Sequence, residues 1–134
     1  MFHALTRESQ FTWVLRLIVA ALVTFSAVAK ISSGYRPEMH ISEVVFWGAT
    51  AIELSIVSFL WVGKAAWGYA LLIPFCVAGS LYAVIARPAA CGCMGVLAFP
   101  DWRYEAGVAS VVGLTAAFAL VVLSGRPNPS AQGA

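Results

Sequence analysis

The sequence has very little charge. Only 10% of its 134 residues are charged, whereas soluble domains carry about 25%. With eight lysines and arginines and six acidic residues, the chain has too little polar surface to stay in solution as a compact globule. The net charge is only +2, and the basic residues form no cluster that could follow a phosphate backbone. These absences exclude a soluble enzyme, a disordered regulator and a nucleic-acid-binding protein.

Apolar residues are abundant instead, at 61% of the chain, and the mean hydropathy is +0.87. A membrane-spanning helix needs about 20 mostly apolar residues. Four segments meet this requirement, at about 12–31, 44–63, 65–86 and 105–124, and none alternates as a barrel strand would. We therefore predict an all-α membrane protein, an antiparallel bundle of four transmembrane helices. The bundle forms one domain over residues 1–125, and 126–134 is a disordered tail.

The ends of these segments carry helix signals. Ser42 suits an N-cap for the second helix, and Asp101 suits one for the fourth. The first segment ends in Ala27-Val28-Ala29, which also fits the cleavage site of a signal peptide. We interpret this segment as a membrane span.

The strongest chemical signal is the sequence Cys91-Gly92-Cys93, directly after the third span. In an extended or turning segment, residues i and i+2 can point the same way, and glycine permits the unusual dihedral angles of a one-residue bridge. Such a disulfide would be strained and easily reduced, which suits thiol–disulfide exchange. The alternative is two small buried cysteines in a turn.

The same region also suits a soft metal. Cys91, Cys93 and Met94 are ligands that copper(I) prefers, and His40, next to Met39, lies in a loop at the same membrane side. The alternative for Met39 and His40 is a loop pair that binds nothing. A structural zinc site would need four nitrogen or sulfur ligands, which this chain can barely supply. We therefore predict no resident metal, and the sequence has no signature for a quinone.

Glu53 is an ionisable residue inside the second span, about 16 Å into the bilayer. A charged group at that depth is costly and marks a functional site or a buried partner. Lys30 is a candidate partner, but its place at the end of the first span predicts a position near the interface, where Glu43 would be an easier partner. The alternative for Glu53 is a neutral side chain hydrogen-bonded across the bundle. Arg87 adjoins the cysteine turn and would either favour a thiolate or anchor the interface. Lys30 is the other candidate for favouring a thiolate, and Glu53 would relay protons or anchor the bundle.

Two further features indicate packing. Cys76 precedes Cys91 by 15 residues, about 22 Å along a helix, and is too far away to join the cysteine pair. Ala109, Gly113 and Ala117 form a ridge of small residues on the fourth span, which predicts close contact between helices.

Together, Val28-Ala29-Lys30, Ile52-Glu53-Leu54 and Cys91-Gly92-Cys93-Met94-Gly95 resemble the MauE family, methylamine-utilisation membrane proteins within the DoxX-like group of small four-helix proteins. The resemblance extends from about Leu17 to Leu123. It implies a membrane thiol–disulfide exchange protein, with Cys91 and Cys93 as the redox pair. In that family the client is the disulfide-rich small subunit of methylamine dehydrogenase.

The resemblance also implies partners and a location. The partners would be a thioredoxin-like exported protein and a disulfide-containing client. The location would be the bacterial inner membrane, with the cysteine turn facing the periplasm or exterior. Charge does not orient the chain, because four basic residues lie on each side.

Two other functions compete with thiol–disulfide exchange. A chain with such short loops would also suit a non-catalytic transmembrane subunit of a larger complex. The third hypothesis is a copper(I)-handling membrane protein, for the ligand reasons given above.

Overall fold

A computed structural model describes residues 10–37, 41–86 and 102–124. These residues form four α-helices: α1 (Gln10–Ser33), α2 (Glu43–Trp61), α3 (Ala65–Ala86) and α4 (Trp102–Ser124). No strand occurs in the described ranges. The predicted bundle is therefore confirmed, and α4 starts three residues earlier than the apolar pattern suggested. The predicted tail and Asp101 lie outside the described residues.

All four helices are long and apolar enough to cross a membrane. Their outward faces carry large apolar side chains that no other described residue covers, such as Val44, Ile85 and Leu114, with exposed fractions of 82%, 79% and 71%. A surface of this kind is stable against lipid, whereas soluble monomers rarely expose a large continuous apolar patch. The chain is a multi-pass membrane protein.

The helices form a ring in chain order, in which each helix contacts the next and α4 closes on α1. The contact between α3 and α4 is the most extensive of these pairs, and that between α1 and α4 is the smallest. Because the helices alternate in direction, one end of the bundle holds the end of α1, the start of α2, the end of α3 and the start of α4. We call this the α1–α2 end.

The opposite half of the bundle is tightly packed. We call it the packed half, and its buried residues come from every helix: Val19, Ala20, Val23, Ile56, Leu60, Ala65, Tyr69, Leu72, Cys76, Ala116 and Ala119. Gly68 lets α3 approach α2 so closely that an added Cβ would lie 2.8 Å from Leu60 Cδ2. At Gly113 an added Cβ would lie 3.0 Å from the Cβ of Cys76. The small-residue ridge on α4 therefore packs against α3 at Gly113, as predicted, whereas Ala109 of the same ridge lines a cavity.

The connection between α1 and α2 is fixed by local hydrogen bonds. Gly34 follows α1 with a φ of 66°, a left-handed conformation that glycine adopts without strain. Tyr35 donates a hydrogen bond to the carbonyl of Ile41 over 3.1 Å. Ser42 then caps α2 by accepting a hydrogen bond from the backbone N–H of Val45 over 3.3 Å, which confirms the predicted N-cap.

Candidate functional site

A buried ion pair joins α1 and α2. Lys30 Nζ donates to Glu53 Oε1 over 2.5 Å, and the exposed fractions of the two residues are 3% and 4%. Ser26 Oγ donates to the same carboxylate oxygen over 3.3 Å. The carboxylate therefore receives a charge-assisted hydrogen bond and a neutral one at a single oxygen.

Helix geometry explains this arrangement. Ser26 and Lys30 are four residues apart, so both side chains lie on one face of α1. Side chains lean toward the N-terminus of their own helix, and α1 and α2 run in opposite directions. Lys30 therefore leans toward the middle of the bundle, while Glu53 leans toward the α1–α2 end, and the two side chains meet.

The structure corrects two sequence-based expectations. Lys30 lies close to the end of α1, as expected, but its side chain is buried in the bundle and pairs with Glu53. Glu43 is exposed at the start of α2, and the expectation that it would pair with Lys30 is wrong. Lys30 is only about 5 Å from the end of α1, whereas Glu53 is about 15 Å into α2. The lysine stem and the opposed leans of the two side chains bridge this difference in depth.

The remaining polar atoms of the pair face an apolar neighbourhood. Lys30 Nζ lies 5.9 Å from the centroid of the Phe75 ring, within the range of a cation–π contact. Glu53 Oε2 is buried and accepts no hydrogen bond from the described residues. A buried carboxylate oxygen without a hydrogen-bond donor is costly. Oε2 is therefore the atom of this site to which a further hydrogen-bond donor would bind.

A cavity of about 620 Å³ adjoins the pair. It lies between all four helices and extends toward the α1–α2 end. Apart from Ser26, Lys30 and Glu53, its lining is mostly apolar: Leu22, Val23, Ile41, Ser42, Val45, Phe46, Ala49, Leu72, Phe75, Cys76, Ala78, Gly79, Tyr82, Ala83, Glu105, Val108, Ala109 and Val112. This size and composition are typical of small-molecule sites, which combine apolar walls with a few convergent polar groups.

Sequence reasoning missed three polar residues of this site. Ser26 had a usable signal, since it precedes Lys30 by one helical turn. Glu105 is buried, with 7% of its surface exposed, and Tyr82 lines the same cavity. An acidic residue in the first turn of a helix normally indicates an interaction with the helix dipole. The sequence therefore provides no reason to expect that Glu105 is buried.

The other predicted site residues lie outside the part of the chain that the structure describes. These residues are Cys91, Cys93, Arg87, Met94 and His40. Cys76, by contrast, is buried against α4 with a free thiol, which confirms its role in packing.

Within the described ranges, no group of three or more histidine, cysteine, aspartate or glutamate side chains could hold a metal ion. Comparisons with protein-family models, with curated proteins and with solved structures find no significant match to this chain.

Proposed function

We propose that this protein is a membrane thiol–disulfide exchange protein that assists disulfide formation in exported proteins. The observation that carries the proposal is the Cys91-Gly92-Cys93 sequence in the connection between α3 and α4. Both helices line the cavity, through Tyr82 and Glu105 near the two ends of that connection. The resemblance to the MauE family supports the same function.

The exchange involves only the four sulfur atoms of the two cysteine pairs and the protons of their thiols. A thiolate of the partner attacks the Cys91–Cys93 disulfide and forms a mixed disulfide, releasing one cysteine of the pair as a thiolate. The second thiolate of the partner then attacks the mixed disulfide and releases the other cysteine. The partner gains a disulfide, and two electrons and two protons pass to Cys91 and Cys93. The same steps in reverse reduce the partner.

The proposal assigns supporting roles to three other residues. Arg87 lies four residues before Cys91 and would favour its thiolate. Lys30 and Glu53 join α1 to α2 and so anchor the α1–α2 end. We propose the bacterial inner membrane as the location, with the cysteine pair on its outer side and a thioredoxin-like exported protein as the partner.

Single cysteine variants should trap the mixed disulfide. In Cys91→Ser or Cys93→Ser the pair can no longer form its own disulfide, but the remaining thiolate can attack the disulfide of an oxidised partner, as in the reverse direction of the exchange. The second cysteine of the pair, which would resolve that mixed disulfide, is missing. We expect at least one of these variants to migrate on a non-reducing gel above its own 14.2 kDa, as a reducible adduct with another protein. The measurement is an immunoblot of membranes from acid-quenched cells, with and without dithiothreitol.

The double variant Cys91→Ser/Cys93→Ser should abolish the adduct. As the control, Cys76→Ala changes the buried cysteine of α3 and, when added to either single variant, should leave its adduct in place. No adduct in either single variant would contradict the proposal. A partner that co-purifies equally with the double variant would favour a structural subunit, and copper lost on Met94→Leu would favour metal handling.

A further inference from the structure

We infer that the cavity beside the Lys30–Glu53 pair is a binding site for a neutral, membrane-soluble molecule that carries a hydroxyl group. The inference goes beyond thiol exchange and does not depend on Cys91 or Cys93. It rests on the size of the cavity, the hydrogen-bonding state of Glu53 and the charges in the wall.

The cavity contrasts with the rest of the bundle. In the packed half, helices approach so closely that Gly68 and Gly113 leave almost no room for a Cβ. At Gly79 in the cavity wall, an added Cβ would meet no atom of the described residues within 4 Å. Protein interiors are normally close-packed, so an open space of about 620 Å³ in a four-helix bundle is the kind of space that a ligand fills.

Glu53 determines the chemistry of the head group. Both donors on α1, Lys30 Nζ and Ser26 Oγ, bind Oε1. Oε2 accepts no hydrogen bond from the described residues, and water cannot easily replace it because Glu53 is only 4% exposed. A ligand that places a hydrogen-bond donor at Oε2 satisfies this atom, and a hydroxyl is a neutral donor that a membrane-soluble molecule can carry.

The charges in the wall select against an anionic head group. Among the described lining residues, Lys30 is the only cation, and it is already paired with Glu53. Glu105 adds a second carboxyl group to the same wall. A fatty acid anion or a lipid phosphate would therefore bring a further negative charge into an apolar space. A neutral hydroxyl avoids this cost, and the apolar walls accommodate the rest of the molecule.

Binding can be measured by equilibrium dialysis of the protein in lipid nanodiscs, with empty nanodiscs subtracted to remove partitioning into lipid. The probes are 4-nonylphenol, its methyl ether 4-nonylanisole, 1-dodecanol and dodecanoate. We expect 4-nonylphenol to bind at least about tenfold more tightly than its ether, because a hydrogen bond to a charged group is lost in the ether. Dodecanoate should bind more weakly than 1-dodecanol. The ratio of the dissociation constants of 4-nonylphenol and 1-dodecanol shows whether the site prefers an aromatic or an aliphatic ligand.

Two variants locate the site. Gly79→Leu places a side chain in the cavity and should weaken 4-nonylphenol binding at least about tenfold. Gly48→Leu is the matched control, because Gly48 is also helical, has nothing within 4 Å of an added Cβ and does not line the cavity. Glu53→Gln keeps the shape of the side chain, but its amide oxygen faces the donors Lys30 and Ser26 and its NH2 group replaces Oε2. Because NH2 donates to a phenol and to an ether alike, the preference for phenol over ether should disappear.

The inference is overturned if the ether binds as tightly as the phenol to the wild type, if dodecanoate binds as tightly as 1-dodecanol, or if no probe binds above empty nanodiscs. It is also overturned if Gly48→Leu weakens binding as much as Gly79→Leu. Because Gly79→Leu leaves Glu53 unchanged, the test stands even where Glu53→Gln lowers the yield of folded protein.

Discussion

Replacing Lys30 by methionine should destabilise the bundle by about 3–5 kcal/mol, the usual cost of removing one partner from a buried ion pair. The substitution leaves Ser26 as the remaining hydrogen-bond donor to the Glu53 carboxylate. Because Glu53 is only 4% exposed, water does not replace the lost partner. Glu53→Met should cost a similar amount, since it leaves the Lys30 ammonium buried. The measurement is the free energy of unfolding in mixed micelles, titrated with sodium dodecyl sulfate.

The double variant Lys30→Met/Glu53→Met should be much closer to the wild type than either single variant. An apolar pair of similar volume has no uncompensated charge, and such replacements are often neutral in stability. Glu43→Met is the matched control on the same helix, because Glu43 is exposed and its loss removes only an interaction with the helix dipole of about 0.3–1 kcal/mol. Single effects that simply add in the double variant would show that the two charges do not stabilise each other.

Truncating Ile56 to alanine should cost about 2 kcal/mol in the same unfolding assay. Ile56 is fully buried in the packed half, with an exposed fraction of 0%. The expected value lies at the low end of the range for buried isoleucine, because the bilayer is as apolar as the bundle interior and only the packing is lost.

Ile52→Ala is the matched control for this substitution. Ile52 lies one turn earlier on α2, and 45% of its surface is exposed. Its truncation exchanges one apolar environment for another and should change stability by less than about 0.5 kcal/mol. Equal effects at the two positions would mean that the packed half does not hold the bundle together.

The four spans were predictable because an apolar run of about 20 residues has few alternatives to a membrane helix. The start of α2 was also predictable, since the hydroxyl of Ser42 can satisfy a free backbone N–H locally. These features depend on residues close in sequence. That is why they could be inferred without knowing how the helices pack.

The Lys30–Glu53 pair was only partly predictable. The sequence indicated that Glu53 needs a partner and offered Lys30, but counting residues along each helix left a difference in depth between the two. The meeting of the two side chains depends on their opposed leans and on the relative shift of α1 and α2, which are tertiary properties. The cavity was not predictable at all, because the sequence does not show which apolar residues leave a space when four helices pack.

Ser26 and Glu105 illustrate the same limit. Ser26 becomes informative only after Lys30 is known to face the interior, because the two residues share a helix face. Glu105 lies in the first turn of α4, where an acidic residue needs no buried role. The order of cysteines in Cys91-Gly92-Cys93, by contrast, is a property of the sequence alone and carries the proposed function.

The most direct measurement is the redox state of Cys91 and Cys93 in intact cells. A membrane-impermeant maleimide is applied with and without prior reduction, in the Cys76→Ala background, and the mass of the purified protein is determined. The proposed function predicts two added labels only after reduction, which indicates a disulfide accessible from outside. Labelling of both thiols without reduction, or no labelling under either condition, would contradict an outward-facing exchange pair.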